Sequence, residues 1–198
     1  MRKIQCHCDN IVESDFPESI NLDINPEYRE QIMEGTFQSI KCDLCGSILK
    51  PELSVRLISS ENGLDLFFIA EKERNEYLFG EKNCPAPRLV IGFPELLEKL
   101  KLNAEGINDG AIEALKYYLR KKAGSDEISI LFDHRESDQL IFHIIGLRED
   151  EIAVSRIPIS VYNDTLETMK KNSDSELFRL ILTPPYISSS KISVLEEE

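Results

Sequence analysis

Two closely spaced pairs of cysteines constrain the fold of this chain more than any other feature. One residue separates Cys6 from Cys8, two residues separate Cys42 from Cys45, and residues 9–41 lie between the pairs. Zinc takes four ligands at tetrahedral corners, and two short loops that each offer two thiolates supply such a set. The pattern therefore predicts one Zn²⁺ ion bound by these four cysteines.

The two halves of the predicted site differ in length. In the second pair, Gly46 after Cys45 permits the positive φ that a tight metal-binding loop requires. The first pair is one residue shorter, but residues i and i+2 of an extended strand point the same way, so both sulfurs can reach one ion. Four thiolates leave no open coordination position, so the predicted role of the metal is structural rather than catalytic.

Three other interpretations of the cysteines stay open from the sequence. Cys42 and Cys45 fit a thiol–disulfide pair, although no thioredoxin-like βαβ pattern surrounds them. In a second interpretation, this chain has lost the ability to bind metal, and the cysteines remain as small buried hydrophobic residues. In a third, His7 replaces one cysteine as a metal ligand. Cys84 has no partner nearby in the sequence and is interpreted as an incidental thiol.

Composition and charge favour an acidic protein of the cytoplasm. The 198 residues suffice for one compact domain or two small ones, and no apolar run is long enough to span a bilayer or form a signal peptide. The net charge of −13 disfavours binding to nucleic acid. The one dense basic run, Arg120-Lys121-Lys122, precedes Gly124 and is typical of a helix C-terminus.

The pattern of apolar residues predicts an α+β fold. We expect a zinc-ribbon-like β module with an inserted helix in residues 1–92, a helical segment in 93–124 and a small α+β domain in 125–198. Residues 53–70 are predicted to form a β-hairpin, 71–87 a loop, 94–102 and 111–122 two helices, 177–183 a strand and 196–198 a frayed acidic end.

The N-terminal part resembles the CpXC family of prokaryotic proteins. The similar segments are Ile4-Gln5-Cys6, Glu18 to Asn21, Tyr28 to Thr36, Ile40 to Gly46, Pro94 to Leu100, and Gly106 to Asp109 followed by Ile112-Glu113 and Lys116. The resemblance covers roughly residues 3 to 120. It implies a zinc-ribbon-like module and carries no established biochemical activity.

No sequence motif marks this chain as an enzyme. Serine-elbow, phosphate-loop, dinucleotide-binding and zinc-protease motifs are absent. His134 beside Asp133 fits an acid–base pair, and Glu136 and Asp138 in the same turn fit a divalent-cation site, but a solvated hairpin turn is the favoured explanation of these residues. The leading hypothesis is a noncatalytic, zinc-stabilised module that binds another protein. The alternatives are a thiol-redox protein that uses Cys42 and Cys45, and a zinc ribbon that binds nucleic acid.

Overall fold

The chain folds into two compact units with mixed helices and strands. A computed structural model describes residues 1–125, 127–149 and 151–192, and the units are Met1–Leu97 and Glu98–Glu198. The predicted α+β class is confirmed. The proposed domain boundaries stay predictions, and the predicted frayed end at 196–198 lies outside the described residues.

Short strands and helices alternate along the described chain. The strands are β1 Arg2–Gln5, β2 Ile11–Ser14, β3 Ser19–Asn21, β4 Ile40–Lys41, β5 Ile48–Leu49, β6 Val55–Ser59, β7 Leu64–Ile69, β8 Arg88–Ile91, β9 Ser129–Glu136, β10 Gln139–Arg148 and β11 Glu151–Pro158. The helices are α1 Glu27–Met33, α2 Arg74–Leu78, α3 Gly92–Ala104, α4 Asp109–Ala123, α5 Ile159–Lys171 and α6 Glu176–Leu182. None of these helices is long and apolar enough to cross a membrane.

The first unit contains two small ribbons and one larger sheet. β1 pairs with β2 and β4 with β5, both antiparallel, while the larger sheet has the order β3-β6-β7-β8. The predicted hairpin in residues 53–70 is present as β6 and β7, with Leu57 opposite Leu66 and Val55 opposite Phe68. These four side chains are buried, because alternate residues of a strand face the same side of the sheet.

The predicted loop in residues 71–87 is partly helical. A 3₁₀ turn at Glu71–Glu73 leads into α2, and the rest of the segment contains turns up to β8. The helix is short and has no buried residue, so its sequence lacks the apolar periodicity that would indicate it.

The second unit packs helices α4, α5 and α6 with an antiparallel sheet of order β11-β10-β9. The alternating residues Ile130 and Phe132 of β9 and Leu140 and Phe142 of β10 are buried on one face of this sheet, as predicted. α4 ends at Gly124, which has φ 68°, so Arg120, Lys121 and Lys122 lie in its last turn. Basic residues at this position favour the negative end of the helix dipole.

The prediction of a strand at residues 177–183 is wrong, because these residues form α6. The Ser175 side chain accepts a hydrogen bond from the Phe178 amide and caps the helix N-terminus. Phe178 and Ile181 are both buried. Their spacing of three residues places both on one helix face, whereas a strand would turn them to opposite sides.

A buried cluster of four charged side chains lies in the second unit. Lys99 Nζ lies 2.7 Å from Glu113 Oε1, and Lys116 Nζ lies 2.9 Å from carboxylate oxygens of both Glu98 and Glu113. Burial alone would lower the pKa of Lys116, but the two carboxylates raise it. Glu113 also accepts hydrogen bonds from the amide and hydroxyl of Ser189. The two positive and two negative charges balance, so the cluster fixes residue 189 against α4 without a net buried charge.

Candidate metal centre

The four cysteines predicted as ligands lie together in the first unit. Their Sγ atoms are all within 4.8 Å of one another. The shortest contacts run between the two loops, with 3.6 Å from Cys6 Sγ to Cys45 Sγ and 3.7 Å from Cys8 Sγ to Cys42 Sγ. All four are free thiols rather than disulfides. The arrangement could hold a metal ion.

The second loop has the backbone of a tight metal-binding turn. The Cys42 amide donates to the Ser47 carbonyl at 2.8 Å, and the Gly46 amide donates to the Cys42 carbonyl at 2.8 Å. Gly46 has φ 76°, as its position after Cys45 predicts. These bonds fold the chain back so that the Cys42 and Cys45 side chains point the same way.

The first loop repeats this hydrogen-bonding pattern with one residue fewer. The Cys6 amide donates to the Asn10 carbonyl at 2.8 Å, and the Asp9 amide donates to the Cys6 carbonyl at 2.9 Å. Asp9 has φ 65° and occupies the place of the second loop's glycine. Aspartate adopts this left-handed conformation more readily than most residues. The shorter spacing of Cys6 and Cys8 is therefore compatible with a complete site.

The spacing of the sulfurs suits a tetrahedral ion. A tetrahedral Zn²⁺ with Zn–S bonds of about 2.3 Å sets its sulfurs about 3.8 Å apart. The measured contacts of 3.6 and 3.7 Å are close to that value. Cys6 and Cys42 are buried, Cys8 is partly buried and Cys45 is exposed. The ion would lie near the surface with thiolates on all sides.

Polar side chains support the sulfurs from outside. Asn10 Nδ2 donates to Cys42 Sγ at 3.5 Å, and Cys45 Sγ donates to Ser47 Oγ at 3.3 Å. The same hydroxyl lies 3.2 Å from Nε2 of His7. The imidazole is therefore hydrogen-bonded beside the four sulfurs, and it need not replace one of them.

The thiol pKa values diverge in this cluster. The hydrogen bond from Asn10 and the nearby backbone amides lower the pKa of Cys42 to about 6. Hydrogen bonds with Ser47 lower the pKa of Cys45. For Cys6, the Cys8 amide lowers the pKa, but burial and the other thiols raise it to about 12. Four thiolates at this spacing repel one another, so they need a cation to be charged together.

The remaining candidate residues form no comparable group. Cys84 Sγ donates to the Ala86 carbonyl, and no second cysteine joins it in any ligand cluster of residues 1–125, 127–149 and 151–192. His134 Nδ1 lies 2.8 Å from Asp133 Oδ2, and Lys101 pairs with the same carboxylate. Burial raises the pKa of Asp133, but these two hydrogen bonds lower it. The carboxylate thus serves an ion pair, and Glu136 and Asp138 complete no ligand cluster within the described residues.

Comparison with known proteins agrees with the cysteine geometry. The family model described as "CpXC protein" matches residues 4–116, which include both cysteine pairs and more than half of the chain. The chain belongs to the CpXC family. A relative in Treponema pallidum (strain Nichols), called an uncharacterized protein, is 23% identical over 97% of this chain and 98% of its own length. No solved structure matched the chain.

Proposed function

We propose that this CpXC protein binds one structural Zn²⁺ through Cys6, Cys8, Cys42 and Cys45 and acts as a noncatalytic module that binds another protein. The observation that carries the proposal is the cluster of four thiols with two contacts of 3.6 and 3.7 Å between the loops. Four sulfur donors at tetrahedral spacing are typical of structural zinc sites. Such a site has no open position for a substrate or an activated water.

The metal would compensate for a very small core. The hydrophobic cluster at the site has three buried residues, Cys6, Val12 and Cys42, with Cys8, Ile40 and Leu49 packed against it. Half of this set consists of the proposed ligands themselves. Segments with so little apolar burial commonly depend on a metal or a disulfide for their fold.

Exposed apolar side chains around the site support a role in protein binding. Leu44 lies between the ligands of the second loop, and Ile11 and Ile48 lie on β2 and β5. Each is more than half exposed. The chain carries a net charge of −13, so a partner with an apolar surface bordered by basic residues would complement it. The same charge opposes binding to phosphate backbones.

The thiol-redox alternative fits the geometry less well. The two sulfur–sulfur contacts given above connect the first loop to the second, rather than Cys42 to Cys45. A dithiol that cycles through a disulfide needs only Cys42 and Cys45, and it leaves the presence of Cys6 and Cys8 in the same cluster unexplained. The lowered pKa of Cys42 is compatible with either role, because metal binding also requires the thiolate.

Two measurements test the proposal. Protein purified without added metal is expected to contain about one equivalent of zinc, with four thiols protected from alkylation until denaturation.

For the partner, Leu44→Glu is expected to abolish salt-sensitive capture of a basic protein while zinc content stays unchanged. Ile24→Glu, at an exposed apolar position outside the two cysteine loops, is the matched control. Equal capture by both variants would refute the binding surface.

A further inference from the structure

The second unit carries a sheet edge with exposed apolar residues. β11 pairs with β10 and forms one edge of the sheet β11-β10-β9. Its residues 151–158 make no backbone hydrogen bond to a third strand within the part of the chain that the structure describes. Free edge amides and carbonyls are a template for pairing with another strand.

The outer face of the sheet is apolar next to this edge. Ile145 of β10 lies directly opposite Ile152 of β11, and Val154 is two residues further along β11. Directly opposite residues share a face, and Val154 lies opposite His143, so the three apolar side chains lie together on this face beside that histidine. They are 42%, 63% and 51% exposed, respectively. The opposite face is covered, since Phe142 and Ile144 belong to the core of the unit.

We propose that two copies of this chain associate through β11, with the strands antiparallel about a twofold axis at Ala153. In this register, Ile152 of each copy lies opposite Val154 of the other. The two outer faces then join into one apolar band that contains Ile145, Ile152 and Val154 of both copies. A twofold axis makes each contact twice, as in most homodimers.

Charge complementarity supports this register. Arg156 is exposed and forms no ion pair with any residue of 1–125, 127–149 or 151–192. In the proposed pairing it falls beside the start of β11 of the second copy, near Glu149 and Glu151. Moving the axis to Val154 would instead place Ile152 opposite Arg156. The two Ile152–Val154 pairs would then be replaced by one Val154–Val154 pair and two Ile152–Arg156 pairs, so the sequence favours Ala153.

Local charge matters because each copy carries a net charge of −13. Two such acidic surfaces repel each other in general. The β11 edge has acidic residues at one end, Glu149 and Glu151, and a basic residue, Arg156, towards the other, so antiparallel pairing of two copies sets opposite charges beside each other at both ends. A second copy is therefore the occupant that the edge fits best.

The first experiment measures mass in solution. Sedimentation velocity and light scattering on the full chain are expected to show a dimer at about 100 μM. Val154→Lys places two cations in the apolar band and is expected to weaken association at least about tenfold. Val161→Lys, at an exposed apolar position on α5, should leave the dimer unchanged. A monomeric wild-type protein, or a dimer insensitive to Val154→Lys, would overturn the proposal.

The second experiment tests the register. At the twofold axis, the two Ala153 Cα atoms would be about 4.5–5.5 Å apart, which is within disulfide range. Ala153→Cys is therefore expected to cross-link as a dimer under mild oxidation, above the background given by the native cysteines of the wild-type chain. Ser155→Cys should not, because its two copies would be about 13 Å apart. Cross-linking at residue 155 but not at 153 would contradict the register.

Discussion

Removal of the proposed zinc should unfold the two cysteine loops selectively. Besides two cysteines, the buried core of the site contains Val12. Burial of such a side chain contributes about 1.5–3 kcal/mol to the stability of the folded site. Ordering the eleven residues 6–10 and 42–47 costs about 11–22 kcal/mol, at about 1–2 kcal/mol per residue. A structural zinc supplies about 10–16 kcal/mol at neutral pH. The metal term is thus the one large enough to keep the loops ordered.

Amide hydrogen exchange can measure this effect residue by residue. The four loop amides that donate the hydrogen bonds described above are expected to exchange at least about 1000-fold faster after chelation. This corresponds to a loss of about 4 kcal/mol in the free energy of local opening. Those amides belong to Cys6, Asp9, Cys42 and Gly46. Amides of the β6–β7 hairpin should change by less than about threefold, since that hairpin belongs to a separate, larger sheet.

A matched variant and a metal assay make the result decisive. Cys84→Ala removes the cysteine outside the cluster and should preserve zinc content and exchange protection. Cys42→Ala should reproduce the effect of chelation. If the loops stayed protected in protein shown by elemental analysis to lack zinc, the argument from the small core would be refuted.

Three further predictions concern the second unit, and urea unfolding followed by circular dichroism measures each of them. Glu113→Gln leaves two buried lysines with one carboxylate and should destabilise the unit by about 3–5 kcal/mol. The control Glu167→Gln changes an exposed ion pair and should destabilise it by less than about 1 kcal/mol. An equal effect of the two variants would contradict the importance of burial. Burial raises the pKa of Glu113, but its lysine partners hold that pKa well below 4.5. The contribution of Glu113 to folding stability is therefore present at neutral pH and is lost in acid, as pH falls through the folded-state pKa. Glu113→Gln should flatten that acid-side loss of stability, and an unchanged pH profile would disprove the assignment. Ser175→Ala removes the α6 cap and should cost about 1 kcal/mol more than Ser173→Ala; equal stabilities would argue against the cap.

The cysteine site could be predicted from the sequence because its chemistry is local. Two short loops each fix two sulfurs, and Gly46 marks the turn of the second loop. The sequence did not show how the shorter first loop completes the cluster. That depends on Asp9 adopting the conformation of the second loop's glycine, and aspartate is common in many other contexts.

Elements with clear apolar periodicity were also predictable. The hairpin of β6 and β7 and helix α4 follow alternating and helical patterns, respectively, and both are present. The sequence of residues 177–183 predicts a strand because a short, mostly apolar segment of seven residues, interrupted by Arg179, fits either structure. Its helical cap at Ser175 was the signal that could have decided the matter.

The buried ion cluster could not be predicted from the sequence. Glu98 and Lys116 look like ordinary surface residues of amphipathic helices, and the contact between them joins residues 18 positions apart in the chain. The hydrogen bond from Ser189 to Glu113 joins residues that no local pattern relates. Only the tertiary arrangement of the second unit makes these charges a buried group.

Elemental analysis of protein purified without added metal tests the central claim most directly. The account predicts about one equivalent of zinc per chain, lost in Cys42→Ala and retained in Cys84→Ala. Folded, monodisperse protein with negligible metal and four freely reactive thiols at positions 6, 8, 42 and 45 would contradict it.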